Sequence, residues 1–143
     1  YEDTDISFSP NLIWSSLINY KITENFNIQF ISKYVGEQFI DNTSSDDRKL
    51  DSYLTHNKRI TYDLNSKIFE TFRITLQLNN ILNKKYANNA WVYRFITNSF
   101  DPTQTDPYVN KNKEGSFDMA GYFPQAGRNF LIGISIGIWK IKC

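Results

Sequence analysis

Period two dominates this chain. Phe72, Ile74, Leu76 and Leu78 alternate without a fault with Arg73, Thr75, Gln77 and Asn79, the signature of a strand with one apolar and one polar face. Phe130, Ile132, Ile134, Ile136 and Ile138 repeat the pattern against Gly133, Ser135 and Gly137, with Leu131 as the exception. Phe26, Ile28 and Phe30 alternate with Asn27 and Gln29; Ile60, Tyr62 and Leu64 with Arg59, Thr61 and Asp63; Leu12, Trp14, Ile18 and Tyr20 share a face that Ser16 weakens. The alternation predicts an all-β chain, an antiparallel meander of five strands over about 10–22, 26–40, 52–65, 71–83 and 125–139. Several of these exceed the roughly five or six residues usual in a soluble domain and match the roughly nine to eleven that a tilted bilayer-crossing strand needs.

The connections alternate in length. Thr23-Glu24-Asn25 is a short turn, Asp41 to Asp51 a longer polar loop, Ser66 to Glu70 a short link, and 84–123 a long segment. Tight turns on one side and large loops on the other are the asymmetry of an outer-membrane barrel, with outer loops expected at about 41–51 and 84–123. Aromatic residues gather toward strand ends, among them Trp14, Tyr20, Phe39, Tyr53, Phe69, Phe72, Phe123, Phe130 and Trp139, as in the girdles at membrane interfaces. Five strands cannot close a membrane barrel, since the smallest single-chain ones use about eight. The chain therefore reads as part of a larger barrel or as one share of an oligomeric one.

Composition narrows the class. In 143 residues, 41% are hydrophobic and 16% aromatic, and the formal net charge is +1, too near balance for a nucleic-acid binder driven by bulk charge. Phe130 to Trp139, the longest apolar run, is about half of a spanning helix. The opening Tyr1-Glu2-Asp3-Thr4-Asp5 is acidic rather than signal-like, so either the protein is cytoplasmic or its biological start lies upstream. One cysteine, Cys143, and one histidine, His56, make neither an internal disulfide nor a zinc site. His56 has no Ser or Cys motif beside it, and no phosphate-cradling glycine loop is present. No enzyme, no metal and no cofactor are expected. Asp41, Asp46, Asp47 and Asp51 do not have the spacing of a calcium-binding hand, and Arg48 and Lys49 interrupt them; they read as a solvated loop.

Three motifs go beyond periodicity: Tyr34-Val35-Gly36-Glu37-Gln38-Phe39-Ile40-Asp41-Asn42-Thr43; Leu78-Asn79-Asn80-Ile81-Leu82-Asn83-Lys84-Lys85-Tyr86; and Gly121-Tyr122-Phe123-Pro124-Gln125-Ala126-Gly127-Arg128-Asn129-Phe130 before Leu131-Ile132-Gly133. Together they resemble the C-terminal end of a TonB-dependent outer-membrane receptor, and the Asn-, Lys- and Tyr-rich flavour is similar to members from Bacteroidota. The resemblance implies a 22-stranded transmembrane barrel in the cell outer membrane, of which residues 1–143 form the C-terminal segment, with the plug and TonB box outside the chain. It further implies TonB-energised uptake of a scarce small-molecule nutrient, such as an iron chelate, haem or cobalamin. The implied partners are outer-membrane lipid, TonB through the missing plug region, and the barrel assembly machinery. Trp139 stands where family members often close on an aromatic residue, but Lys140-Ile141-Lys142-Cys143 follows it, a departure from that pattern. The alternative is a structural or adhesive barrel module that closes by oligomerising.

Within this frame Phe72, Ile74, Leu76, Leu78, Ile132, Ile134 and Ile136 are expected to face lipid, and Arg73, Gln77 and Asn79 the lumen, because polar groups are costly against hydrocarbon. The segment 84–123 mixes aromatics with polar donors, as recognition loops do. Tyr93, Arg94, Tyr108 and Tyr122 are its candidate ligand contacts. Arg94 carries a planar, permanently charged fork suited to an anionic chelate, with Tyr93 and Phe95 placed to stack on a flat ligand. The competing expectation pairs Arg94 with an acid such as Asp101.

Overall fold

A computed structural model describes residues 4–111 and 115–138. The described residues are all-β, with no α-helix. Trp139 and the Lys140–Cys143 tail lie outside them, and with them the end of the last predicted strand. The chain divides into two compact units, one made of Tyr1–Ile13, Val35–Tyr53 and Lys85–Gln125, the other of Trp14–Tyr34, Leu54–Lys84 and Ala126–Cys143. Ten strands run along it: β1 (Ile13–Lys21), β2 (Phe26–Val35), β3 (Gln38–Phe39), β4 (Lys49–Leu50), β5 (Tyr53–Leu64), β6 (Thr71–Asn79), β7 (Ala87–Phe95), β8 (Val109–Lys111), β9 (Phe117–Pro124) and β10 (Asn129–Gly137).

The second unit is built on a five-stranded antiparallel sheet in the order β1-β2-β5-β6-β10. The order follows the chain, with the remaining strands inserted between its members, and β1 and β10 are its edges. Two registers fix its faces. Leu64, Phe72 and Ile136 lie opposite one another, then Tyr62, Ile74 and Ile134, then Ile60, Leu76 and Ile132, then Lys58, Leu78 and Phe130. The intervening rows are Asp63, Arg73 and Ser135; Thr61, Thr75 and Gly133; and Arg59, Gln77 and Leu131. Since successive strand residues point to opposite sides, one face is aliphatic and aromatic and the other polar, with Leu131 the exception on the polar side. Phe26 meets Tyr62 edge-on at 6.0 Å, joining β2 to the apolar face.

Burial in this unit is inverted relative to a water-soluble domain. Its only buried described residues are Ser32, Thr55 and Asn80, all polar. Ile132 is 68% exposed and Ile134 62%. A soluble sheet hides such rows against a second layer, and this one has none.

Two asparagines end β6 at Asn79, short of the predicted 83. Asn80 and Asn83 both take positive φ, 48° and 54°, a left-handed conformation that asparagine tolerates better than most residues. The Asn80 side chain then replaces the ladder. Its Oδ1 accepts from the Lys84 amide at 2.9 Å, its Nδ2 donates to the carbonyls of Lys84 (2.9 Å) and Ala126 (3.1 Å), and its backbone amide donates to Asn57 Oδ1 at 2.9 Å. Asn83 Oδ1 accepts from the Arg128 amide at 2.9 Å. A Cβ on Gly127 would stand 2.7 Å from that oxygen, so this close approach requires glycine. The motif Asn79-Asn80-Ile81-Leu82-Asn83 and the Gly127-Arg128 approach are thus two sides of one hydrogen-bonded corner, and β10 starts at Asn129 rather than 125.

The first unit folds differently. It holds a three-stranded antiparallel sheet in the order β7-β9-β8 and the short pair β3-β4. Most of the predicted outer loop 84–123 is therefore strand. Ile40, Leu50 and Ala90 form a small buried cluster, with Ala87 and Val92 packed against it.

Candidate functional site

Two groups of side chains have chemistry to offer, one in each unit. On the polar face of the five-stranded sheet, a chain of hydrogen bonds crosses β5, β6 and β10. Arg59 donates from Nε (3.1 Å) and Nη2 (2.9 Å) to Gln77 Oε1, Gln77 Nε2 donates to Asn79 Oδ1 at 2.7 Å, and Asn79 Nδ2 donates to Asn129 Oδ1 at 2.9 Å. Beside it Arg73 grips Asp63 with two bonds, 2.6 and 2.9 Å. Lys21, Asn27, Gln29, Thr61 and Thr75 complete a polar concavity of about 460 Å³. Arg73, Gln77 and Asn79 thus stand on one face, each engaged by a neighbouring side chain rather than by an apolar surface.

The second group surrounds Arg48 in the first unit. Arg48 follows the one-turn 3-10 segment Asp46–Arg48 and is 3% exposed. Its Nη1 lies 3.2 Å from Asp41 Oδ2 and 3.8 Å from Asp118 Oδ2, while Arg94 Nε donates to Asp118 Oδ1 at 3.1 Å. Two cations and two carboxylates thus alternate, which offsets the cost of burying each. The Nε of Arg48 is buried with no hydrogen-bond partner among the described residues. A cavity of about 1100 Å³ adjoins it, lined among others by Arg48, Trp91, Tyr108, Lys111, Asp118 and Tyr122. Trp91 lies over Gly121, where a Cβ would stand 2.3 Å from the indole nitrogen; glycine is what lets the ring rest there.

The four candidate contacts separate in space. Tyr108 and Tyr122, 72% and 51% exposed, line this cavity. Arg94 reaches its wall through Asp118. Tyr93 and Phe95 stack on each other at 5.7 Å, and Phe95 stacks on Phe117 at 5.7 Å. Neighbouring residues of β7 point to opposite sides, so Tyr93 and Phe95 share a face that Arg94 does not. Arg94 therefore does not work with them on one flat ligand. Its acid is Asp118 rather than Asp101, whose carboxylate instead accepts from Thr103 N (3.0 Å) and Oγ1 (2.7 Å). Those bonds hold the Asp101 carboxyl below the ordinary carboxylate range.

Arg48, Asp41 and Asp118 carry no local signal, because the first two sit in a stretch that reads as a solvated acidic loop and the third is 70 residues further on. Asp46 is turned to Lys49 at 3.4 Å, and Thr43 Oγ1 donates to Asp41 at 2.5 Å. His56 takes a wall position: its Nδ1 lies 2.8 Å from Ser32 Oγ and its ring stacks on Phe30 at 5.4 Å. Among the described residues no group of three or more His, Cys, Asp or Glu side chains is placed to hold a metal ion, and no helix is long and apolar enough to cross a membrane. Compared with protein-family models, curated proteins and solved structures, the chain matches none.

Proposed function

We propose that this chain is the C-terminal barrel segment of a TonB-dependent outer-membrane receptor, a transporter that takes up a scarce nutrient from outside the cell. One observation carries the reading. A five-stranded sheet leaves its aliphatic rows exposed and buries only polar residues, the distribution that hydrocarbon on one side and water on the other would select. The nine to twelve residues of β1, β2, β5, β6 and β10 suit a bilayer crossing. Unpaired edges at β1 and β10 accord with further strands on either side, since an open edge of this length is an aggregation site. In this reading the face of Arg73, Gln77 and Asn79 lines the lumen, and the aliphatic rows meet lipid. The Arg48, Tyr108 and Tyr122 cavity belongs to the outer loops and is the place for nutrient contact. No catalytic chemistry is part of this function.

The same edges support one rival, a structural or adhesive module whose barrel closes by oligomerising. The experiment is to express the whole protein that contains this chain in its bacterial host, fractionate the membranes and follow growth on a limiting nutrient. The proposal expects a monomer in the outer membrane and a growth defect, on loss of the protein, that loss of TonB reproduces. A stable oligomer with no TonB-dependent phenotype supports the rival and overturns the receptor.

A further inference from the structure

Charge in the five-stranded unit is sorted by position along the strands. Its described acids are Glu24, Asp63 and Glu70, all within the two short turns or one residue from a strand end beside them. The opposite end of β5, β6 and β10 has no acid of this unit and gathers Lys58, Lys84 and Arg128. Register and hydrogen bonds place them together: Lys58 pairs with Leu78, which pairs with Phe130, two residues from Arg128. Arg128 N donates to Asn83 Oδ1, and Lys84 N donates to Asn80 Oδ1, each at 2.9 Å. Lys58 stands in the apolar row itself, in line with Leu78 and Phe130, where a cation belongs only if the hydrocarbon ends there and its stem snorkels to a polar layer. None of the three makes an ion pair among the described residues.

We propose that Lys58, Lys84 and Arg128 form a rim that binds the phosphate of an anionic glycolipid headgroup in the leaflet surrounding the barrel. The inference rests on the outer-membrane reading above. Its physical basis is charge complementarity: cations without partners, set at the border of an apolar face, attract the phosphates that lie at the same depth. Free phosphate in solution offers the same oxygens but no acyl chains for the adjoining Leu78 and Phe130 row, so the lipid is the committed occupant.

The test uses the whole protein, extracted from outer membranes in mild detergent and examined by native mass spectrometry for co-purifying phosphorylated glycolipid. The variants are Lys58→Gln, Lys84→Gln and Arg128→Gln, singly and together, with Lys21→Gln plus Lys67→Gln as the control at the other end of the strands. Each rim change is expected to lower lipid retention about fivefold, and the triple change on the order of a hundredfold. Lys58→Arg and the control should retain it, and enzymatically dephosphorylated glycolipid should bind no better to wild type than to the triple variant. Displacement by millimolar inorganic phosphate alone would assign the site to free phosphate and overturn the lipid proposal. Equal retention by wild type and a triple variant that reaches the outer membrane at normal levels overturns this inference and leaves the receptor reading intact. Recovery of the wild-type protein outside the outer membrane overturns both.

Discussion

The two units solve opposite problems with the same kind of residue. In the five-stranded unit, arginine is spent on an open face: Arg73 and Asp63 pair while 54% and 41% of their side chains stay exposed, and aliphatic rows are left uncovered. In the other unit, Arg48 is buried between Asp41 and Asp118, and the aliphatic residues Ile40, Leu50 and Ala90 are hidden. Every buried hydrophobic residue among those described belongs to this unit. The contrast teaches where each part finds its solvent. One is arranged as a wall with an apolar surround, and the other as a small water-facing fold with its own core.

The largest expected effect breaks the wall. Ile134→Arg, at the middle of β10, should destabilise the folded barrel by up to about 4 kcal/mol if that row meets hydrocarbon, whereas Ser135→Arg, one position along on the polar face, should cost far less. Chemical unfolding of the whole protein in lipid bilayers measures both, and equal costs would erase the distinction between faces. Next comes the water-facing fold. Arg48→Ala leaves Asp41 and Asp118 without their shared cation and should cost about 3 kcal/mol, a figure held down because Arg94 still meets Asp118. Limited proteolysis of the 38–50 segment should speed up accordingly, with the wall strands unaffected.

How much of this was legible in the sequence follows from the same contrast. A two-faced sheet writes its register as strict alternation, so the rows through Phe72–Leu78 and Phe130–Ile138 and the chain-order meander could be read residue by residue. The strand ends could not. The left-handed turns at Asn80 and Asn83 close β6 at Asn79, although the apolar residues Ile81 and Leu82 continue the run. In the 84–123 segment, β7 carries a register shift between Ala87 and Asn89, and β9 contains Gly121 and Pro124, which break the alternation. The Arg48 cluster depends on contacts between distant residues, which local spacing does not encode. Tyr108 and Tyr122 were readable as candidates because aromatics on a polar segment stand out, but that Arg94 and Tyr93 point apart became visible only once β7 was a strand.

Smaller effects sharpen the comparison. Arg73→Ala should cost under about 1 kcal/mol, because exposed pairs gain little net energy; against Arg48→Ala, that ratio measures the difference in burial directly by equilibrium unfolding. The smallest effect is on pH. Asp101 has its carboxyl held down by hydrogen bonds from Thr103. Its stabilising contribution is therefore fully present above the unfolded value of about 3.9 and is lost as pH falls through the lower folded value. Asp101→Asn should flatten the acid limb of the stability profile below about pH 4 and leave neutral pH little changed, as read by thermal unfolding across pH.

The central claim is that adjacent residues of β10 face different solvents. Single cysteines at Ile134 and Ser135, introduced with Cys143→Ser in the whole protein and probed in intact outer membranes, test it directly. A charged, water-soluble maleimide should label the cysteine at 135 and spare the one at 134, while a lipid-dissolved thiol reagent should do the reverse. Equal labelling of both by the water-soluble reagent, or the opposite preference, would contradict the account.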